Sequence, residues 1–197
     1  MLSQLRPAVV STLFFTLLLG VAYPLSVTGI GQLAFPSQAG GSLVRDADGR
    51  VIGSRLLAQP FAAPAYLHPR PSAAGANGYD ASGSSGSNLG PLNPALAERV
   101  ARDAQAIRDG APGSAVPSDA ATTSGSGLDP DISPANARLQ AVRIAAARGV
   151  PVAEVARLIE RHVASPALGF LGQPRVNVLE TNLALDAAFP GRQAPTR

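Results

Sequence analysis

Two short stretches carry residue types at a spacing that could bind an anion. "SGSNLGPLNPAL" (85–96) and "SGSGLDPDISPAN" (124–136) follow one plan: Ser-Gly-Ser-x-Leu-x-Pro, then a cap residue, Pro and a helix. A helix N-terminus presents free N–H groups and the positive end of its dipole, which favour phosphate or carboxylate. The first loop offers Ser85, Gly86, Ser87 and Asn88. The second offers Ser124, Gly125 and Ser126, with Asp129 and Asp131 just beyond. The same residue types also satisfy caps and turns with no ligand at all, so both readings stand at this level. Neither loop is a P-loop, because G-x-x-x-x-G-K-[ST] needs a lysine and the chain has none.

Other chemistry is thinly supplied. There are two histidines, His68 and His162, and no cysteine, so thiolate metal sites, disulfides and thiol catalysis are excluded. His68 lies in "YLHPRPS", and His162 follows an arginine-rich helical pattern whose end suits a cation. No Ser/His/Asp set suggests itself. "DADG" (46–49) is not a calcium loop. With Gly49 at the sixth position, Val44 and Arg55 would fall where carboxylates are required. The sequence pI is about 10.2, but the arginines are scattered and no nucleic-acid motif accompanies them. No nucleic-acid partner is expected.

The elements that must position these loops begin with an apolar N-terminus. From Pro7 to Val44 there is no charged residue. A membrane helix needs about 20 apolar residues, and residues 8–30 meet that length, with Leu13, Phe14, Leu17 and Leu18 as anchor side chains. Pro24 suggests a kink, which membrane helices tolerate. Arg6 precedes the span and the next basic residue is Arg45. The positive-inside rule therefore puts residues 1–7 in the cytoplasm and residues 38–197 outside. The rival is a cleaved signal peptide, whose apolar region is about 7–15 residues with a small-x-small site after it. This run is longer and lacks a clear site.

The exported part reads as a small α+β domain with a β-hairpin, three helices and a C-terminal strand. Leu43-Val44 and Val51-Ile52 flank an Asp48-Gly49 turn. A stretch of Pro, Gly and Ser over 63–93 has no periodicity, and so long a loop is functional or disordered. Its residues His68, Pro69, Arg70, Pro71, Tyr79 and Asp80 are the candidates for a partner-docking loop. The first helix is capped by Asn93 and shows Leu96, Val100, Ala104 and Ile107 on one face, up to Gly110. The second is capped by Ser133, with Leu139, Val142 and Ala146 as its apolar side and Gly149 as its stop. The third starts at Pro151 and carries Val152, Val155, Leu158, Ile159 and Val163, its arginines facing solvent. A strand at Val176 to Leu179 precedes a short helix or a further strand through Leu185. Asp129 and Asp131 are expected to be exposed loop acids that the fold can spare.

The blocks "YLHPRPSAAG", "YDASGSSGSNLGPLN", "TTSGSGLDPDISPANARLQAVRIAAARG" and "PRVNVLETNLALD", behind a single apolar span, resemble the C subunit of the Kdp potassium-transporting P-type ATPase. The likeness runs along essentially the whole chain. It implies an inner-membrane complex with a potassium-selective A subunit, a P-type ATPase B subunit and a small F peptide. It also implies a non-catalytic role as a chaperone that raises the ATP affinity of the B subunit. No cofactor is assigned to this chain itself, and ATP enters only through the resemblance. The loop from Ser85 to Leu89 faintly resembles an ABC-type signature, which would fit that role. The topology pulls the other way, since ATP is cytoplasmic and both Ser-Gly loops fall outside. The residues alone favour assembly and gating from outside. A free-standing anchored binding protein and a secreted enzyme are the rival classes.

Overall fold

The computed structural model describes residues 2–190, with side chains from Ser3 onward. These residues divide into two units, one ending at Ile52 and one beginning at Gly53.

The first unit is dominated by a helical rod from Leu5 to Ala34, longer at both ends than the expected 8–30. It runs as α1 (Leu5–Leu17), a π-helical turn (Leu18–Ala22) and α2 (Tyr23–Ala34). Pro24 supplies the reason for the turn. It has no N–H and its ring crowds the carbonyl four residues back, at Gly20. The ladder widens there, and the Tyr23 N–H donates five residues back to the Leu18 carbonyl. The expected kink is thus taken up as a π-bulge. A short α3 (Pro36–Ala39) leads to the hairpin strands β1 (Leu43–Arg45) and β2 (Val51–Ser54). In the turn, the Asp46 carboxylate accepts from the N–H groups of Asp48 and Arg50, and Gly49 takes φ +79°.

The second unit holds α4 (Pro94–Gly110), α5 (Ser118–Ala121), β3 (Asp131–Ile132), α6 (Pro134–Arg148), α7 (Val152–Arg161), β4 (Val163–Ala164), β5 (Arg175–Asn177) and α8 (Val178–Ala188). Its sheet is antiparallel with order β3-β5-β4. Ile132 and Val163 flank Val176 from either side. Around them close Leu67, Ala137, Ala141, Ile144, Val155, Ile159 and Leu185. Phe61 and Phe189 pack against this core from its margin.

Several expectations hold. Asn93 and Ser133 cap α4 and α6, accepting from the N–H groups of Ala95 and Asn136. Gly149 closes α6 at φ +61°. Val155, Leu158 and Ile159 are the buried face of α7, while Arg157 and Arg161 are exposed.

Three are corrected. The buried side of α6 is Ala137, Ala141, Ile144, Ala145 and Arg148, not Leu139, Val142 and Ala146. At 100° per residue the two sets lie on opposite sides of the helix. The core is built on the first set, with Ile144 and Arg148 among it, so Val142 on the other side is left 62% exposed. The strand expected over 176–179 ends at Asn177, because the Asn177 carboxamide accepts from the Glu180 N–H and starts α8 there. Three helices before the strand are too few, since α5 joins them, while α8 is the helix of the two alternatives expected after the strand.

Candidate functional site

The two Ser-Gly-Ser loops meet. The Ser85 N–H donates to the Ser126 carbonyl at 2.9 Å, and the Ser84 hydroxyl donates to the same oxygen at 3.0 Å. Gly127 makes this approach possible. Its φ is +67°, and a Cβ there would lie 2.6 Å from the Ser85 oxygen and 2.7 Å from the Ala74 Cβ. Gly86 is similarly confined, since its Cβ would sit 2.8 Å from the Gly125 oxygen. Ser124 is buried, and its N–H donates to the Pro71 carbonyl. The Ser126 hydroxyl accepts from the Leu128 N–H, and Ser87 is half-buried. Asn88 is exposed in the left-handed region at φ +52°. The repeat is therefore a pair of backbones pressed together, with much of its hydrogen-bonding capacity directed inward.

The N-terminus of α6 already holds an anion of the protein's own. The Asp119 carboxylate on α5 accepts from the Ser133 N–H (2.8 Å), the Ser133 hydroxyl (2.8 Å) and the Asn136 side-chain amide (3.0 Å). The Ser133 hydroxyl in turn accepts from the Asn136 N–H at 3.1 Å. A carboxylate at the positive end of a helix is favoured for the reasons that made a phosphate plausible there.

Asp129 and Asp131 are more engaged than expected. Asp129 accepts from Arg70 at 3.1 Å and from the Asp131 N–H at 3.1 Å. Asp131 stands in β3, half-buried, paired with Arg175 at 3.0 Å and accepting from the Asn177 amide at 3.0 Å. Burial pushes its carboxyl above the ordinary range, against the pull of Asn177 and Arg175. These two acids tie the loop to the sheet, which corrects the picture of spare exposed charges.

The segment around His68 is strapped to the helices by side-chain amides. Asn182 of α8 accepts from the Leu67 N–H at 2.7 Å and donates to the Leu67 carbonyl at 3.0 Å. Gln140 of α6 repeats the device one residue on, accepting from the His68 N–H and donating to its carbonyl. Each amide copies what a neighbouring strand would offer, so an extended segment without sheet partners keeps its backbone satisfied. Pro69 is buried. The Tyr79 hydroxyl donates to the Arg70 carbonyl, and the Ser72 hydroxyl accepts from the Tyr79 N–H. Asp80 is exposed, and hydrogen bonds from Ser82 hold its carboxyl below the ordinary value. Burial, then the charge of Arg143, lowers the His68 pKa against the opposing bond to the Ala63 carbonyl. His162 bonds instead to the Leu158 carbonyl.

Sequence reading missed the strongest polar centre. Arg148 is 1% exposed. Its guanidinium donates to the carbonyls of Ala65 and Leu185 and to Asp186 at 2.8 Å, and it lies 5.1 Å over the Tyr66 ring. The Tyr66 hydroxyl donates to the other oxygen of Asp186. Asn182, between Leu179 and Leu185 on the buried side of α8, carried a usable signal: a polar residue at a core position.

A cleft of about 460 Å³ opens beside the second loop, lined by Leu56, Leu57, Ser84, Ser126, Leu128 and Asp129 among others. That size falls in the range of ligand pockets. Asp129 is the one charged residue of its lining and no arginine lines it, so the donor set fits a triphosphate poorly. Among the described residues no group of three or more His, Asp or Glu could hold a metal. The anchor candidates Leu13, Phe14, Leu17 and Leu18 all point outward from the apolar rod.

The sequence matches the family described as KdpC, the c chain of a K+-transporting ATPase, over residues 5–187. It is 66% identical over 190 residues to the potassium-transporting ATPase KdpC subunit of Caulobacter vibrioides (strain NA1000 / CB15N), covering 96% of each chain. It is 58% identical to that of Beijerinckia indica over 99% of each. With that of Geobacter sulfurreducens it shares 49% over 96% of this chain and all of the relative. Matches of this extent, across both the apolar rod and the strapped domain, make the chain a member of the KdpC family of potassium-transporting ATPase subunits.

Proposed function

We propose that the chain is a non-catalytic subunit of an ATP-driven potassium-uptake complex, acting in assembly and coupling. The rod Leu5–Ala34 anchors it in the inner membrane with residues 1–7 in the cytoplasm, and the domain from residue 38 onward lies outside. There it docks on the potassium-selective A subunit and stabilises the arrangement of A, the P-type ATPase B subunit and F. The observation that carries this reading is the use made of the two Ser-Gly-Ser loops. They are packed against each other, and the helix N-terminus behind the second is filled by Asp119. This supports a scaffold over a nucleotide site.

Three experiments test it. The full chain is purified from native membranes in mild detergent and whatever accompanies it is identified. Recovery without the A and B subunits would refute the reading. A reporter active only outside the cytoplasm, fused after Arg197, should be active, and activity only from a cytoplasmic reporter would overturn the topology. Leu17→Arg should cost about 2.5–3.5 kcal/mol of insertion and abolish potassium-limited growth.

A chaperone role toward ATP is the second reading, favoured by the cleft beside Ser124–Ser126. The lack of a cation in its lining weighs against it. Saturable binding of ATP to the full chain, lost when Ser126→Tyr fills the cleft, would support it.

A further inference from the structure

The connection between β4 and β5 is built as an exposed apolar knob. Ala167 and Leu171 bridge antiparallel, the Ala167 N–H donating to the Leu171 carbonyl at 3.0 Å and the Leu171 N–H to the Ala167 carbonyl at 2.9 Å. The Gly169 N–H donates to the Pro166 carbonyl. The turn is tight enough to force Leu168 into the left-handed region at φ +54°, followed by Gly169 at +83°. A bulky residue there costs roughly 1–3 kcal/mol, and such strain persists where the surroundings over-determine it. What the turn presents is Leu168, Phe170 and Leu171, which are 82%, 74% and 51% exposed. No acidic residue occurs between Glu160 and Glu180, while Arg175 at the base of the knob, its side chain 53% exposed, is paired with Asp131 at 3.0 Å.

We infer that the 166–172 turn is the anchor by which this domain docks into an apolar socket, with a neutral or acidic rim, on another subunit of its complex. This rests on the subunit reading above. Two observations favour a protein socket over a lipid surface. Lipid would reward the same side chains on a slack loop, and here they are held on a hydrogen-bonded, strained turn. Such fixed side chains lose little freedom on docking. Interface energy also concentrates in a few aromatic and apolar anchors that fill a pocket, and Phe170 flanked by two leucines has that form. The knob has no acid, and its neighbouring cation is paired with Asp131, so a neutral rim suits it and an acidic one is not repelled.

The test uses the assembled complex in native membranes. A photoreactive benzoylphenylalanine replaces Phe170 in one variant and Leu92, which is 96% exposed, in another. Irradiation should join this chain to another subunit from position 170 and give at least about tenfold less adduct from position 92. Adducts only with lipid, or none at 170 while the wild-type chain still co-purifies its partners, would overturn the inference. A wild-type chain that brings no partner would overturn the subunit reading, and the socket with it. In parallel, Phe170→Ser should lower co-purified partner about tenfold or more, in line with loss of a buried anchor. Its unfolding midpoint should stay unchanged, because the ring is mostly in solvent. Undiminished co-purification would refute the assignment.

Discussion

Removing the Arg148 guanidinium should cost as much stability as truncating a fully buried aliphatic side chain of the core. Its three nitrogens serve the Ala65 carbonyl at 2.8 Å, the Leu185 carbonyl at 3.2 Å and Asp186 at 2.8 Å. It therefore joins the strapped segment, the end of α8 and the end of α6 at one point. Breaking a buried pair from one side costs about 3–5 kcal/mol. Asp186 is 28% exposed and can recover some hydration. The two carbonyls recover less, at about 1–3 kcal/mol for each buried group left unpaired. We expect about 3–5 kcal/mol for Arg148→Ala, or a fall of roughly 6–20 °C in midpoint for a domain of this size. Arg148→Lys separates shape from charge. One ammonium cannot reach three acceptors in different directions, so lysine should recover less than half of the loss. The assay is thermal unfolding of the full chain in mild detergent, followed by circular dichroism after subtracting the apolar rod's constant signal. A shift under about 2 °C for the alanine variant, or full recovery by lysine, would refute the account.

Other outcomes follow from single contacts. Asp119→Ala removes three charge-assisted hydrogen bonds at the start of α6 and should cost about 1.5–3 kcal/mol, while Ser133→Ala should cost about 0.5–2; equal stability in urea melts would contradict this. Gly127→Ala drives a Cβ into Ser85 and Ala74 and should cost about 1–3 kcal/mol, whereas Gly125→Ala meets nothing within 4 Å and should be nearly silent. Equal melts for the two would refute the paired-loop geometry. His68 has a folded pKa below its unfolded value because of burial and Arg143. The unfolded chain therefore binds more protons as pH falls below about 6.5, and stability should decline from there down to the folded pKa and be flat above. His68→Gln should flatten that decline, and an unchanged slope would show that another group is responsible.

Much of the local structure was legible in the chain because it depends on neighbours in sequence. Asn93-Pro94, Ser133-Pro134 and Gly149 mark helix ends through their own backbone preferences and caps. Residues 8–30 announce a membrane-length helix by composition alone, and Asp48-Gly49 a hairpin by its turn. The blocks that revealed the family are equally a property of sequence. What only the tertiary structure decided is where long-range partners stand. The apolar side of α6 could not be chosen from its own residues, since Leu139 and Val142 look better than Ala137 and Ala141. The core formed with the sheet, α7 and α8 takes the other side, with Ile144 at its centre. Nothing next to Asp119 in the chain marks it as a partner of a distant helix start, to which α5 brings it. The Ser-Gly repeat was open to a ligand reading and to a cap-and-turn reading, and the fold presses the two loops together through the missing side chains of Gly86 and Gly127. Arg148 is one of 16 arginines with nothing local to single it out. Its burial follows from Ala65, Leu185 and Asp186, which lie 37 to 83 residues away in the chain, and a pattern of nearest neighbours carries no record of such distances.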